Sequence, residues 1–282
     1  VGNMSSGCFV GQEHLAALVG DHLGLTPKPT IKCEAACASG SLAFRQAYIA
    51  IKSGEYDVAL VLGVEKMSDI KSEAAINALM AAGDYEWESS IGLTFAGAYA
   101  LIARRHMKLF GTTREQLAMV AVNNHRNAMR NPLAQFSTKI DVADVIKSPL
   151  VADPLRLLDC SPITDGSAAI VLVSERLAKR FDSPIWLLGS GHGTDSLALH
   201  DRKSLVEMYA TKIASKHAYD QAGIRPDRID FAEVHDCFSI NEIISVEDLG
   251  FCGKGEGGRF VEDGLINIDG EKPINTTGGL KA

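Results

Sequence analysis

One stretch near the N-terminus constrains the fold of this chain more than any other. A short apolar segment at 30–33 leads into a turn at 34–38, and small and apolar residues then recur at helical spacing over 39–52. Gly54 ends that predicted helix, and an unbroken apolar run follows at 56–63. Such a run after a helix is typical of a buried strand in a parallel βαβ unit. We therefore predict an α/β fold whose sheet is covered on both faces.

A second unit of the same kind lies toward the C-terminus. The pattern predicts a helix at 203–222 that ends at Gly223, a strand at 229–234, a turn at 235–238 and a helix at 239–249. Because strand, turn and helix recur in this order near both ends of the chain, we predict two similar α/β halves.

The middle of the chain has a different character. Residues from about 66 to 162 are richer in helix formers and polar side chains and are interrupted by prolines, which predicts a helical insertion in the first half. Two more strands are predicted at 168–173 and 184–188. We therefore divide the chain into an N-terminal half at 1–174 and a C-terminal half at 175–282. The chain starts as though a strand had just ended, so we expect the first half to be incomplete at its start.

Charge and cysteine content exclude several classes of protein. With a net charge of −7 and a pI near 5.6, the chain lacks the basic surface that nucleic acids and anionic membranes require. Its apolar runs are too short to span a bilayer, and nothing resembles a signal peptide. The six cysteines include no Cys-x-x-Cys pair, so we expect reduced thiols in a cytoplasmic protein and no metal site.

Cys37 is the first candidate for a reactive group. It lies in the sequence AACASG at the predicted strand-to-helix turn, where helix amides point at the side chain and small neighbours leave room for a substrate. A helix N-terminus favours the thiolate, so the pKa of this thiol is expected to fall below its usual value of about 8.5. The alternative is a cysteine that only fills a tight turn, as we expect of Cys33.

His235 and Cys237 occupy the corresponding turn of the second half. An imidazole and a thiol two residues apart at a strand end can face one crevice. The imidazole can donate a hydrogen bond to a developing oxyanion, and the thiol can carry a proton. The alternative is a capping histidine beside a core cysteine, but two such turns in one chain favour catalysis. His125, in the sequence NNHRN, is ambiguous and can lie on a helix surface that faces a ligand.

Five short motifs, taken together, resemble the thiolases, in the branch that contains the sterol-carrier-protein-x-type and archaeal acetoacetyl-CoA thiolases. The motifs are EAACASG at 34–40, VEKM at 64–67, DGSAA at 165–169, VHDCF at 234–238 and NTTGG at 275–279. They follow one another in the family's order over nearly the whole chain, so the resemblance is more specific than any single motif.

The resemblance implies two βαβαβαββ halves in a layered αβαβα core, with a loop domain inserted in the first half. It implies that Cys37 becomes acylated, that His235 replaces the oxyanion-hole asparagine of other thiolases, and that Cys237 supplies the acid/base thiol. Contacts with the substrate or with coenzyme A are assigned by the resemblance to Ser161, Phe238 and Gly279. Ser161 would touch the pantetheine arm, and Phe238 would form a wall of the pocket.

The implied function is that of an acyl-CoA acyltransferase. It would be an acetyl-CoA C-acetyltransferase of lipid metabolism, including the mevalonate pathway, that makes acetoacetyl-CoA or cleaves 3-ketoacyl-CoA. The coenzyme A thioester is the substrate, and no cofactor is expected. The implied partners are further copies of the chain in a homodimer or tetramer, a hydroxymethylglutaryl-CoA synthase and a small acyl-CoA-binding protein, with no nucleic acid and no membrane.

Two alternatives stay open. The family's next motif is Gly-His-Pro, whose histidine activates the nucleophile, and the chain ends at Ala282 before it. On this basis we expect the chain alone to be weakly active or inactive, and a non-catalytic acyl-CoA-binding or scaffold subunit of a thiolase and synthase assembly is the first alternative. A ketoacyl synthase, which shares the fold, is the second, and the sequence HDCF speaks against it.

Overall fold

The computed structural model describes every residue from Val1 to Ala282 and contains eleven α-helices and four β-strands. The helices are α1 (Ser6–Val10), α2 (Leu15–His22), α3 (Ser39–Lys52), α4 (Ser72–Met80), α5 (Phe95–Phe110), α6 (Arg114–Ala128), α7 (Val142–Lys147), α8 (Glu175–Ala178), α9 (Tyr209–Ala222), α10 (Ser239–Asp248) and α11 (Gly257–Glu262). The strands are β1 (Val58–Glu65), β2 (Leu150–Ala152), β3 (Leu155–Arg156) and β4 (Gly166–Val173). None of the helices is both long and apolar enough to cross a membrane.

The chain forms two compact units, each made of two segments. The first contains Val1–Ala82 and Ile163–Leu187, and the second contains Gly83–Pro162 and Leu188–Ala282. The insertion predicted at about 66–162 is largely helical, since it contains α4 to α7 and the short β2–β3 pair. Most of it belongs to the second unit, and the division of the chain into sequence halves stays a prediction.

The sheet of the first unit combines an antiparallel pair with two parallel bridges. β1 and β4 pair antiparallel along their whole length, and Gly2 bridges in parallel to Cys33 on one side and to Gly63 on the other. Because both partners run parallel to Gly2, they run parallel to each other. The segment at Cys33, α3 and β1 therefore form the predicted parallel βαβ unit, with the N-terminal residues between its strands.

The elements predicted around this unit are largely confirmed. The helix predicted at 39–52 is α3, and the strands predicted at 56–63 and 168–173 are β1 and β4, displaced by two residues or fewer at each end. The strand predicted at 30–33 is reduced to one bridge, at Cys33.

Only one face of this sheet is covered as predicted. Ala43 of α3 packs with Val61 of β1 and with Cys33 in one buried cluster. The other face carries the cross-strand partners Leu60 and Val171, which remain 47% and 59% exposed. The prediction that both faces are covered is therefore wrong for this unit, because no helix of the unit packs over that pair.

A glycine at the N-terminus positions the start of α3. A Cβ atom on Gly2 would lie 2.4 Å from the carbonyl oxygen of Ser39 and 2.5 Å from the Cα atom of Gly40. Real Cβ atoms do not approach other atoms so closely, so only glycine lets the first turn of α3 lie directly on the N-terminal segment. This close approach fixes where the turn before α3 begins.

The core of the second unit is built around α10. All ten residues of α10 are buried, and α5, α6 and α11 pack against it. The helix predicted at 239–249 is thereby confirmed. The helix predicted at 203–222 is α9, but it begins six residues later than predicted, at Tyr209. The amide of Met208 donates a 2.6 Å hydrogen bond to the Asp248 carboxylate, which holds the preceding residues outside helical geometry.

Two strands predicted for the C-terminal half are wrong as continuous strands. Residues 229–234 contribute a single parallel bridge, between Ala232 and Ile274. Residues 184–188 pair with no strand, and Trp186 is 55% exposed. Apolar composition predicted both segments, but a strand also needs a partner along its length.

The alternating glycines after this segment have a packing role. A Cβ atom on Gly191 would lie 1.7 Å from the carbonyl oxygen of Ala214 in α9, and those on Gly189 and Gly193 would also collide with α9. The sequence GSGHG at 189–193 therefore allows close packing of an extended chain on a helix. Its glycines do not have the spacing of a dinucleotide-binding loop.

Candidate active site

The turn that carries Cys37 is short and strained. A 3₁₀ helix at Ala36–Ala38 leads directly into α3, and Ala36 has a φ of 48°, in the left-handed region. A non-glycine residue in this conformation costs about 1–3 kcal/mol, and such strain is concentrated at functional sites. The Cys37 side chain is exposed at this turn.

Two side chains hold the strained turn in place. The Ser39 hydroxyl accepts a 2.9 Å hydrogen bond from the amide of Ala35 and donates one of 2.7 Å to the carbonyl of Ala36. The carboxylate of Glu34 accepts a 2.5 Å hydrogen bond from the amide of Ala36. The polar groups on both sides of Cys37 are therefore fixed by local partners, which explains how the strained conformation persists.

The pKa of Cys37 moves in the direction opposite to the sequence-based expectation. The thiol keeps contact with solvent, but the protein atoms packed around the turn reduce its hydration. This desolvation raises the pKa of the Cys37 thiol, and a hydrogen bond from its own amide opposes the effect without overcoming it. The thiol is therefore protonated at neutral pH, and it needs a base before it can act as a nucleophile.

The second unit brings most of the other predicted residues together at the start of α10. The amide of Ser161 donates a 2.9 Å hydrogen bond to the carbonyl of Cys237, and Cys160 forms an antiparallel bridge with Phe238. These contacts join the loop of Ser161 to the turn that carries His235 and Cys237.

His235 is exposed to solvent, but protein atoms pack around its imidazole. This crowding lowers the pKa of the His235 imidazole below its usual value, while the charge of Asp236 acts in the opposite direction. His235 is therefore neutral at pH 7 and carries one N–H group. A neutral imidazole can donate a hydrogen bond to an oxyanion without delivering its proton.

Phe238 and Gly279 both make close contacts in the second unit. Phe238 is 9% exposed, and its ring stacks on Tyr99 with a centroid separation of 4.8 Å. Gly279 has a φ of 63°, and a Cβ atom there would lie 2.5 Å from the carboxylate of Asp236. Glycine thus lets the amide of Leu280 reach Asp236, at 2.7 Å.

Asp159 anchors the loop of Ser161. It is fully buried and pairs with the guanidinium of Arg114. Its carboxylate also accepts hydrogen bonds from the amide of Arg156 at 2.8 Å and from the hydroxyl of Ser239 at 3.0 Å. One carboxylate therefore ties α6, the loop and the start of α10 together two residues before Ser161.

Sequence reasoning missed a buried polar network beneath the His235 turn. Asp236, Glu242, Asn124 and Asn275 are each completely buried and bonded to one another. The sequence offered only a weak signal for them: two adjacent asparagines inside the predicted helical insertion and an acidic residue within HDCF. His125, left ambiguous by the sequence, is 5% exposed, and burial lowers the pKa of its imidazole.

The predicted residues thus divide between the units. Cys37 belongs to the first unit, and the other five belong to the second, where Ser161 contacts Cys237 and Gly279 lies against Asp236. No three His, Cys, Asp or Glu side chains form a group that could hold a metal ion.

Known proteins resemble the chain over its whole length. The model of the thiolase N-terminal domain matches residues 1–176, and a model described as thiolase C-terminal domain-like matches residues 191–282. An acetyl-CoA acetyltransferase of Methanothermobacter thermautotrophicus is 52% identical over 283 residues, covering 100% of this chain and 73% of the relative. Sterol carrier protein 2 of Bos taurus is 33% identical over 273 residues, covering 92% and 50%. A solved structure described as an Ltp2-ChsH2(DUF35) aldolase matches with a TM-score of 0.75 and 30% identity, covering 86% of this chain and 64% of that one.

The chain thus combines an α/β architecture with a cysteine before the start of α3 and a His-x-Cys turn before the start of α10. The chain belongs to the thiolase family. The predicted family, the predicted thiolase-type fold and the predicted class of enzyme are confirmed. The roles of the individual residues stay predictions.

Proposed function

We propose that Cys37 is the nucleophile of this thiolase, which acts as an acyl-CoA acyltransferase on acetyl-CoA. The observation that carries the proposal is the strained turn before α3, where the left-handed Ala36 precedes an exposed thiol. The identity of 52% with an acetyl-CoA acetyltransferase supports the substrate. Because the pKa of the Cys37 thiol is raised, a general base must take its proton before attack.

The proposed synthetic reaction has two steps. The Cys37 thiolate adds to the carbonyl carbon of acetyl-CoA and expels coenzyme A, which leaves as a thiol after taking up a proton, and an acetyl thioester remains on Cys37. The thiolate of Cys237 then removes an α-proton from a second acetyl-CoA. The resulting enolate attacks the thioester carbonyl, giving acetoacetyl-CoA and expelling the Cys37 thiolate. Cys237 then releases the proton that it took up, and Cys37 takes up a proton, so both groups return to their starting states. Cleavage of a 3-ketoacyl-CoA by coenzyme A is the reverse sequence.

The neutral imidazole of His235 fits the role of oxyanion donor. Each step places negative charge on a thioester oxygen, and a fixed N–H donor stabilises that charge more in the transition state than in the substrate. Removal of one such donor typically costs about 3 kcal/mol of activation free energy. We propose that Ser161 contacts the pantetheine arm of coenzyme A, that Phe238 forms a wall of the pocket, and that the loop of Gly279 makes a further contact with the substrate. The contact between Ser161 and Cys237 supports the first of these assignments.

Brief exposure to acetyl-CoA is expected to add one acetyl group to Cys37. Protein expressed from its native gene is mixed with acetyl-CoA, quenched in acid and digested, and the peptide that carries Cys37 is examined by mass spectrometry. A Cys37→Ala variant should lose the acetyl group. Any exposed thiol can react with acetyl-CoA without catalysis. The matched control is therefore Cys8→Ala, which removes another exposed thiol of the same unit.

Two outcomes of the acetyl-CoA experiment would contradict the assignment of Cys37 as nucleophile. If intact protein never carries acetyl on Cys37, or if Cys8→Ala removes the label as completely as Cys37→Ala, the nucleophile assignment is wrong. If the protein binds coenzyme A but no cysteine is acylated, the non-catalytic binding function replaces the catalytic one.

We also propose that the enzyme works in the cytoplasm as a homodimer or a dimer of dimers. Further proposed partners are a hydroxymethylglutaryl-CoA synthase and a small acyl-CoA-binding protein. The solved Ltp2-ChsH2(DUF35) aldolase, which is similar to this chain, has a DUF35 component in its description and so supports association with a second protein. Native mass spectrometry of purified protein is expected to show two or four copies, and a monomer at micromolar concentration would contradict the self-association.

A further inference from the structure

The backbone of the turn that carries His235 and Cys237 is hydrogen-bonded to groups from outside the turn. Asn275 accepts a 2.8 Å hydrogen bond from the amide of Val234, and Asn241 donates one of 2.5 Å to the carbonyl of His235. The carbonyl of Cys237 is bonded to the Ser161 amide. Between them, Asp236 points away from solvent and is completely buried.

Asp236 has amide partners and no cation of its own. Its carboxylate accepts hydrogen bonds from the side chain of Asn124, at 2.8 Å, and from the amide of Leu280, at 2.7 Å. A buried carboxylate without these donors would be unstable. The position of Asp236, and with it the two side chains that flank it in sequence, therefore depends on Asn124 in α6.

The same asparagine also binds a second buried carboxyl group. The side-chain nitrogen of Asn124 donates to Glu242 at 2.7 Å, and Asn275 donates to the same oxygen of Glu242 at 2.7 Å. Asn124 thus uses one N–H on each carboxyl group. The other oxygen of Glu242 has no partner, so nothing else fixes this side chain.

Two neighbouring buried carboxyl groups cannot both be charged at low cost. Burial, and then the charge of Asp236, raise the pKa of the Glu242 carboxyl to about 8, while the amides of Asn124 and Asn275 and the charge of Lys281 act against this. Asp236, on the turn before α10, and Lys281, on the C-terminal loop, are the charged groups that act on it. Glu242 is therefore uncharged at neutral pH.

The network also connects three separate elements. Asn124 lies on α6, Glu242 on α10 and Asn275 on the C-terminal loop. Asn275 has a φ of 50°, the left-handed conformation, which its bonds to Val234 and Glu242 maintain. A fully bonded buried network selects one arrangement of the elements that it joins, more than it adds stability.

We propose that Asn124, Glu242 and Asn275 are positioning residues, which hold Asp236 and thereby set the geometry of His235 and Cys237. This inference rests on the proposed function in one respect, since it takes these two side chains to do chemistry. The positioning residues do not touch substrate. They act through Asp236, and an error of about 1 Å at a reacting group can cost roughly a hundredfold in rate.

The central variant is Asn124→Ala, and its matched control is Asn123→Ala. Asn123 is the preceding residue of α6 and is also buried. Its side chain donates to the carbonyl of Ile274 and to the side-chain oxygen of Asn124, but it contacts neither carboxyl group, and the two bonds from Asn124 to those groups do not involve it. We expect Asn124→Ala to lower kcat for acetoacetyl-CoA formation by roughly a hundredfold, with KM changed by less than about threefold. Asn123→Ala should retain kcat within about threefold even where its melting temperature falls.

Glu242→Gln separates positioning from charge. Glutamine keeps an oxygen that accepts from both asparagines and cannot ionise, so kcat at pH 7 should stay within about threefold of wild type. The kcat of the wild-type enzyme should fall above pH 8 as Glu242 ionises beside Asp236, and the variant should lack this alkaline decline. Glu242→Asp keeps the carboxyl group but shortens the side chain by one methylene, and we expect it to lose kcat as Asn124→Ala does.

A second measurement does not depend on turnover. The rate at which iodoacetamide alkylates Cys237, followed by peptide mass spectrometry, should change by about tenfold or more in Asn124→Ala and by less than about twofold in Asn123→Ala. Equal effects of the two asparagine variants on both kcat and alkylation would overturn the positioning role. If Cys37 is never acylated in wild type, the proposed function fails, while the alkylation rates still decide the positioning role.

Discussion

Cys237→Ala is expected to slow acetoacetyl-CoA formation by about 10²–10⁴-fold while leaving the acetylation of Cys37 nearly unchanged. Condensation needs a base for the α-proton of the second acetyl-CoA, and the proposal assigns that proton to Cys237. Transfer of the first acetyl group to Cys37 involves no α-proton. The two half-reactions should therefore separate in this variant.

The two half-reactions are followed with separate assays on the same protein. Acetylation of Cys37 is followed by rapid quench and peptide mass spectrometry, and condensation by the appearance of acetoacetyl-CoA. Exchange of the α-protons of acetyl-CoA with solvent deuterium gives a third signal, which should disappear in the variant because it reports the same proton transfer.

Cys252→Ala is the matched control. Cys252 is also a partly buried thiol of the second unit, but burial and the carboxylates of Glu247 and Glu256 raise the pKa of its thiol to about 12. Such a thiol cannot serve as a base near pH 7, so its loss should leave all three signals intact. A Cys237→Ala enzyme that condenses acetyl-CoA at the wild-type rate would remove Cys237 from the mechanism.

The sequence predicted the elements that carry the two turns with good accuracy. The helices α3 and α10 were predictable because α3 packs one apolar face into a core and α10 packs its whole surface into one. A glycine also follows each of the two helices. The strands at 184–188 and 229–234 were overpredicted, because strand formation depends on a distant partner that local composition does not reveal. The start of α9 depended on a bond from Met208 to Asp248, which is equally invisible in the local pattern.

The chemistry of the candidate site was less predictable than its elements. Sequence motifs identified Cys37 and the His235 turn. The expected direction of the shift in the Cys37 pKa was wrong, because desolvation by the protein packed around the turn raises this pKa more than the hydrogen bond from the Cys37 amide lowers it. The network of Asn124 and Glu242 joins residues 118 positions apart. Only the folded chain brings these groups together, and a lone buried polar residue gives no pattern along the sequence.

Asp159→Ala is expected to lower the free energy of unfolding by about 3–5 kcal/mol, because it breaks a buried ion pair from one side. Arg114 would keep its charge with only 17% of its side chain exposed, and the Arg156 amide and the Ser239 hydroxyl would lose their acceptor. The loss should shift the urea midpoint with an unchanged m-value. The matched control is Asp220→Ala, which breaks an exposed pair with Lys216 on α9 and should cost about 0.5 kcal/mol or less.

Asp159→Ala should also lower the activity of the proposed site. Asp159 lies two residues before Ser161, whose amide is bonded to Cys237, so the folded fraction of Asp159→Ala should show a reduced kcat after correction for unfolded protein. Asp159→Asn keeps an oxygen for the Arg156 amide and the shape of the side chain, and it should therefore lose less stability than the alanine variant. If Asp159→Ala and Asp220→Ala shift the urea midpoint equally, Asp159 is not the anchor of this loop, and the placement of Ser161 beside Cys237 must depend on other contacts.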